Sequence, residues 1–289
     1  AQHLAKQRLK PQYLQAREIY RKIMNATPPG RVLHRVFHRI KDAIKTSLLP
    51  CSMFEDMGFQ YMGPVDGHDV KTLTRLLDYA SKVNGPVLLH VKTIKGKGYP
   101  PAEKNPDAFH GIGPFHKETG ALITSKTAET FSSRFGHDLT ELAKQDQRIC
   151  AITAAMTSGT GLAAFSKAFP DRFFDVGIAE EHAVTMAAGM AKQGLIPVFA
   201  VYSTFFQRSY DMLMHDIAID HIHAVFGIDR AGLVGDDGET HHGLFDLGFL
   251  QTIPGITVLC PASLDELSDM LERAVHRMDG PVAVRYPRG

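Results

Sequence analysis

Three segments put side chains able to bind a ligand or carry a proton just after a strand-like run. The first is DVGIAEEHAVTMAAGMA, residues 175–191. A buried strand is expected to end near Ile178, with Glu180 at its junction with a helix. A carboxylate there, beside apolar neighbours, can favour its neutral form and hydrogen-bond a heterocycle nitrogen. A first-turn acid favoured by the helix dipole accounts for it equally well. The small residues Ala187, Ala188 and Gly189 fit close packing of that helix on a sheet. The second segment, VFAVYSTFFQRSYDML (198–213), ends a strand in the hydroxyl-bearing turn Tyr202-Ser203-Thr204. Phe205 or Phe206 could stack on a planar ring or simply fill the core. Arg208, just beyond, reads as a surface residue.

The third segment, GIDRAGLVGDDGETHHGLFD (227–246), crowds Asp229, Arg230, Asp236, Asp237, Glu239, His241 and His242 into a Gly-rich stretch after a strand. Long loops on a rigid sheet tend to be functional. Arg230 suits a phosphate or carboxylate through its planar fork. Asp237 and His241 could bind hydroxyls or move protons. A metal held by Asp236, Asp237, His241 and His242 is an alternative, although their spacing matches no standard ligand set. RYPRG closes the chain with Arg285 and Arg288, either a phosphate anchor or a surface turn.

These segments need a scaffold, and the pattern from residue 51 onward supplies one. Strands are expected near Val87–Val91, Ile149–Thr153, Phe173–Val176, Val198–Tyr202, Ala224–Ile228, Thr257–Cys260 and Val282–Arg285. Helices fall between them, near Leu73–Lys82, Thr127–Lys144, Glu181–Lys192, Gln207–Ile219 and Leu264–Arg277. Ser263 and Glu266 have capping-box spacing at the start of the last. Alternation of this kind implies an α/β fold, a parallel sheet flanked by helices on both faces. Ligands of such sheets bind at the carboxyl ends of the strands, where the polar clusters fall. LTRLLDYASKVNGPVLLHV (from Leu73) and LSDMLERAVHRMDGPVAVRY (from Leu267) share one order: helix, Asn/Asp-Gly-Pro-Val turn, buried strand. The echo reads as two related α/β units or as a turn that any such hook needs. Between the hooks, Gly96–Glu118 reads as an interdomain linker or an active-site loop.

Bulk properties narrow the function classes. With 289 residues, 44% hydrophobic and 22% charged, the chain is ordinary globular material for one large or two ordinary domains. A net charge of +1 excludes a chain-wide electrostatic nucleic-acid binder. No apolar run is long enough to span a bilayer, and the start resembles no signal peptide. Three scattered cysteines, Cys51, Cys150 and Cys260, fit a reducing, cytoplasmic compartment, with Cys150 and Cys260 read as buried thiols. The basic residues 1–50 read as a solvated helical connector rather than a polyanion-binding arm. His34 and His38, at i, i+4, read as helix-surface histidines.

GFQYMGPVDGHD (58–69), KGKGYPPAEKNPDAFH (95–110), FPDRFFDVGIAEEHAVT (169–185), YSTFFQRSYD (202–211), DRAGLVGDDGETHHGLFDL (229–247) and AVRYPRG (283–289) resemble the corresponding blocks of the 1-deoxy-D-xylulose-5-phosphate synthase family. The resemblance runs from about residue 50 to 289. It implies a transketolase-like, thiamine-diphosphate-binding fold. Residues 116–289 would be the pyrimidine-binding domain, and 1–115 the C-terminal remnant of a preceding diphosphate-type domain with its linker. It implies that Glu180 protonates the aminopyrimidine N1′, that Phe205 stacks on the pyrimidine, and that Ile178 and Met156 pack against the cofactor. It implies Tyr202, Arg230 and Arg288 for the aldehyde and its phosphate, and Asp237, His241 and His110 near the reacting carbons. Lys95 would face the diphosphate. The implied reaction joins pyruvate to D-glyceraldehyde 3-phosphate with loss of CO₂, in a homodimer with no nucleic-acid or membrane partner. The family's Gly-Asp-Gly and following Asn, which hold Mg²⁺, have no counterpart here. The metal ligands and the C-terminal domain are therefore expected outside this chain, as in a truncated form. A non-catalytic or partner-dependent module of the same fold is the competing expectation.

Overall fold

The computed structural model describes residues 19–20, 52–123, 128–235 and 237–288, which form two compact units, Ala1–Ser125 and Lys126–Gly289. The basic 1–50 segment lies outside the described residues apart from 19–20. His34, His38, Cys51 and Asp236 lie outside them too.

In the first unit, α1 (Ser52–Asp56) leads into β1 (Gln60–Asp66), α2 (Val70–Ser81), β2 (Val87–Lys92) and α3 (Pro100–Lys104). Strands β1 and β2 pair in parallel, with a register shift between Met62 and Val65. The sequence reading missed β1 because Gly63 and Pro64 interrupt its pattern. The irregularity lets the pair form around a proline that cannot donate to a ladder. The side chain of Asp69 caps α2 by accepting from Thr72 N at 3.1 Å. Beyond β2, Tyr99, Phe109 and Phe115 pack at centroid separations of 5.4–5.8 Å. Residues 116–123 fold back on this cluster: the Tyr99 hydroxyl donates to Lys117 O at 2.8 Å, and Phe115 bridges Leu122.

The second unit carries α4 (Phe131–Gln145), β3 (Ile149–Thr153), α5 (Ala163–Ala168), β4 (Phe173–Asp175), α6 (Glu180–Lys192), β5 (Ile196–Tyr202), α7 (Ser203–Phe206), β6 (Ala224–Asp229), α8 (Asp246–Leu250), β7 (Thr257–Leu259), α9 (Leu264–His276) and β8 (Pro281–Arg285). The six strands form one parallel sheet in the order β4-β3-β5-β6-β8-β7. Strand periodicity sends alternate residues to opposite faces. Phe199 and Val201 enter the core beneath α6, while Val198 and Ala200 enter the core beneath α4 and α9. Ala187 and Ala188 of α6 are buried, which bears out the close-packing reading for them. Gly189 is exposed with open space around it, so packing does not require a glycine there.

Three expectations need correction. Cys150 is buried, with burial raising its thiol pKa, but Cys260 is exposed because β7 ends one residue earlier. The helix expected over 207–219 is instead a 3₁₀ turn (Gln207–Ser209), a single α turn (Tyr210–Met212) and a π-helix (Leu213–Ala218). At α9, Ser263 accepts from Glu266 N at 3.2 Å, but Glu266 returns its carboxylate to Ala262 N at 2.8 Å, one residue early. A reciprocal capping box forms instead at Thr130 and Ser133, starting α4. Among the described residues, no helix is long and apolar enough to cross a membrane.

Candidate active site

All six strands run the same way, so the turns after β3, β4, β5, β6 and β8 share one edge of the sheet. The strand order reverses between β3 and β5, where α/β sheets open a crevice. Asp175, the last residue of β4, organises one side. Its Oδ1 accepts from Ala155 N at 2.8 Å and Gly177 N at 3.0 Å, and its Oδ2 from the Thr157 hydroxyl at 3.0 Å. One carboxylate thus ties the loop bearing Met156 to the loop bearing Ile178 and Glu180. The sequence reading passed Asp175 over; its signal was an Asp two residues before a Gly, able to form local side-chain turns.

Glu180 opens α6 with 1% of its surface exposed, and its Oε2 has no hydrogen-bond partner among the described residues. The first-turn position favours the charge, yet a buried carboxylate oxygen without a donor is costly. Arg208, read from sequence as a surface residue, instead reaches Glu180 Oε2 with Nε at 3.5 Å and Glu181 Oε1 at 3.8 Å, while remaining 48% exposed. Ile178 is exposed, and Met156 is half-buried against the core beneath α6.

After β5, Tyr202 and Phe205 stack at 6.0 Å between centroids, and the His241 ring meets Phe205 edge-on at 5.4 Å. Phe206 points the other way, fully buried against Phe199 and Phe226. The choice the sequence left open is therefore resolved: Phe205 lies with the polar cluster and Phe206 in the core. Burial raises the Tyr202 hydroxyl pKa. The glycine-rich loop is closed at its base by paired backbone hydrogen bonds between Gly232 and Gly243, at 2.8 and 2.9 Å. A side chain at Gly243 would strike Arg230 O and Ser203 Oγ, so the closure needs a glycine. The Thr204 hydroxyl donates to Thr240 O at 3.1 Å, fastening the loop to the turn after β5.

Arg230 follows β6 in left-handed backbone conformation, with φ of 59°. Its guanidinium lies 3.8 Å over the Tyr202 ring. Nε donates to Asp237 Oδ2 at 3.1 Å, and Nη1 to Gly159 O at 2.9 Å and Asp229 Oδ1 at 3.1 Å. Asp237 Oδ1 also meets Arg288 Nη1 at 3.0 Å, so it bridges two arginines. Burial pushes the Asp229 carboxyl up to about 6 despite the opposing Arg230 charge. Arg285 lies outside this cluster, its Nε donating to the buried Asp246 Oδ2 at 2.7 Å. Lys95 and His110 belong to the first unit, where both are exposed. Among the described residues, no group of three or more His, Cys, Asp or Glu side chains could hold a metal ion. Val234 N donates to His242 Nδ1 at 3.1 Å, which gives that ring a structural partner.

The orphaned Glu180 oxygen and the Phe205 ring fit a planar heterocycle that hydrogen-bonds the one and offers a face to the other. The paired arginines fit an anion. This is the fold of the thiamine-diphosphate class, and the chain belongs to the family described as transketolase, pyrimidine binding domain, matched over residues 129–289. A second family profile, 1-deoxy-D-xylulose-5-phosphate synthase, matches residues 1–93. Within that class the chain is similar to 1-deoxy-D-xylulose-5-phosphate synthases. It is 51% identical over its whole length to the one from Clostridium kluyveri (strain NBRC 12016), of which it covers 46%. It is 50% identical over 99% of its length to that from Syntrophomonas wolfei subsp. wolfei (strain DSM 2245B / Goettingen), covering 45%. The chain thus spans under half the length of these curated relatives. Among solved structures, one titled "Split gene transketolase, inactive beta4 tetramer" matches with a TM-score of 0.50 and 27% identity, over 56% of this chain and 52% of that one.

Proposed function

We propose that the chain belongs to the machinery that condenses pyruvate with D-glyceraldehyde 3-phosphate, with loss of CO₂, to give 1-deoxy-D-xylulose 5-phosphate. Residues 116–289 act as the pyrimidine-binding module, of which 116–123 fold within the first compact unit. Residues 1–115 contribute the end of a diphosphate-type module. Thiamine diphosphate, when bound with Mg²⁺, supplies a carbon nucleophile and an electron sink for decarboxylation. The observation that carries this reading is Glu180: a buried carboxylate oxygen without a hydrogen-bond partner, at the carboxyl edge of the sheet.

Glu180 holds the proton at the aminopyrimidine N1′, a role its lack of a protein donor suits. Phe205 presents its face to the ring, and Met156 and Ile178 give apolar contact. Lys95 faces the diphosphate. Arg230 and Arg288 bind the acceptor's phosphate by charge-assisted hydrogen bonds, with Tyr202 beside its aldehyde. Asp237 and His241 hold hydroxyl and carbonyl oxygens near the carbons that join. The assembly is a homodimer, and its free Cys150 and Cys260 suit a reducing, cytoplasmic compartment.

A second reading has its own support. The structure titled as an inactive tetramer of a split-gene transketolase is matched over about half its length. By analogy this chain would be a partner-dependent module, silent alone. Calorimetric titration with thiamine diphosphate in excess Mg²⁺ separates the two. Saturable binding by the chain itself favours the first; no heat of binding favours the second.

A further inference from the structure

Arg230 is held more tightly than a substrate-binding arginine needs to be, and its holder is buried. Its side chain stacks on Tyr202 at 3.8 Å and uses Nε and Nη1 for protein acceptors. Among the described residues these bonds use Nε and Nη1 and none uses Nη2, the nitrogen a ligand would meet. The three acceptors differ in kind. Asp237 is 23% exposed and shares its carboxylate with Arg288, itself 41% exposed. Gly159 O belongs to a loop that must remain a glycine there, because a Cβ would strike the Tyr202 hydroxyl. Asp229 is wholly inaccessible.

Asp229 is also an expensive residue to keep. Its Oδ2 has no hydrogen-bond partner, and neither does the neighbouring buried Tyr286 hydroxyl. The groups facing it are Arg230, through its guanidinium and its backbone N–H, the hydrogen-bonding Ser132 hydroxyl, Tyr202 and Tyr286, so among the described residues its one full charge partner is Arg230. A neutral or apolar side chain would remove a poorly solvated charge from the core. The backbone at Arg230 is itself left-handed, a conformation non-glycine residues adopt at a cost. Buried charge and backbone strain converge on one guanidinium.

We propose that Asp229 is a positioning residue: from beneath Arg230, its buried carboxylate fixes the guanidinium so that its free edge is presented to the phosphate of an incoming substrate. The proposal rests on the reading of Arg230 as a phosphate ligand. Asp237, at the rim, can yield its place on the two arginines to a ligand anion, whereas Asp229 has nowhere to go.

The test uses the full chain with inorganic phosphate as probe, followed by calorimetry, together with melting temperature. Asp229→Asn keeps the shape and removes the charge. It should leave the melting temperature unchanged or higher while weakening phosphate binding about tenfold. Arg230→Ala should weaken it at least as much. If Arg230→Ala binds phosphate like the parent, or the parent shows no saturable binding, the phosphate reading itself fails and takes the proposal with it. If Arg230→Ala weakens binding but Asp229→Asn does not, the positioning role alone is overturned. Should Asp229→Asn fail to fold, nitrogen NMR of the parent decides. Slow rotation of the Arg230 guanidinium supports the anchor, and rotation as fast as that of the exposed Arg75 refutes it.

Discussion

Glu180 and Asp229 are both nearly inaccessible carboxylates, and each has one oxygen without a hydrogen-bond partner. Their neighbours differ. Asp229 is sealed beneath Arg230, hydrogen-bonded at 3.1 Å, with the guanidinium packed on Tyr202. Glu180 has only Arg208 at 3.5 Å, and that cation is half in solvent. A sealed acid serves the residue above it, while an acid with a solvated, distant counter-ion can accept a ligand's donor. The sheet edge therefore divides into a pre-set anion corner and an acid corner left open.

Predictions that test this division begin at the open acid. In the catalytic assembly containing this chain, Glu180→Ala should slow hydrogen exchange at C2 of thiamine diphosphate by roughly 10²–10⁴-fold. It should do so without lowering the melting temperature, since no protein hydrogen bond to Oε2 is lost. Undiminished exchange would remove the acid from the mechanism. At the anion corner, Arg288→Ala should raise the KM for D-glyceraldehyde 3-phosphate by roughly 10–100-fold and leave that for pyruvate nearly unchanged. Equal effects on both substrates would argue against a phosphate anchor.

Acid–base linkage gives a smaller signal from the sealed acid. Asp229 rises from an ordinary 3.8 to about 6 on folding, so the folded chain binds its proton more tightly than the unfolded one. Stability should therefore fall as pH rises from about 4 to 6, by on the order of 2 kcal/mol from this group. Asp229→Asn should flatten that part of the profile; an unchanged slope would mean that the carboxylate ionises freely. The smallest effect is expected from Arg208→Gln. Its half-exposed pair with Glu180 is weakened by solvent, so C2 exchange should change only several-fold. A loss as large as that of Glu180→Ala would make Arg208 an equal partner.

Much of this site was legible because strand ends are legible. Ile149–Thr153 has its expected bounds, Tyr202 ends a strand and Arg230 follows one, while the strand before Glu180 ends at Asp175 and not near Ile178. The polar loop 227–246 declared itself through composition. What escaped depends on tertiary contact. Arg208 looked like any charge on a helix surface, because nothing local says that a residue 28 positions earlier lies beside it. Gly159 drew no notice, although only the Tyr202 hydroxyl arriving from β5 forbids a side chain there. The helix after Phe206 was read as regular, since its π-helical turn depends on packing against α6 and not on propensity. Strand β1 was missed for the opposite reason, a local proline signal overridden by pairing with β2.

The central claim is that Glu180 hydrogen-bonds N1′ of the cofactor's aminopyrimidine and exchanges a proton with it. The most direct test compares calorimetric affinities of thiamine diphosphate and an analogue with carbon in place of N1′, in the catalytic assembly with Glu180 and with Glu180→Gln. Removing N1′ should cost roughly 10–100-fold in Kd when Glu180 is present and far less when it is Gln. The same loss in both proteins would contradict the claim.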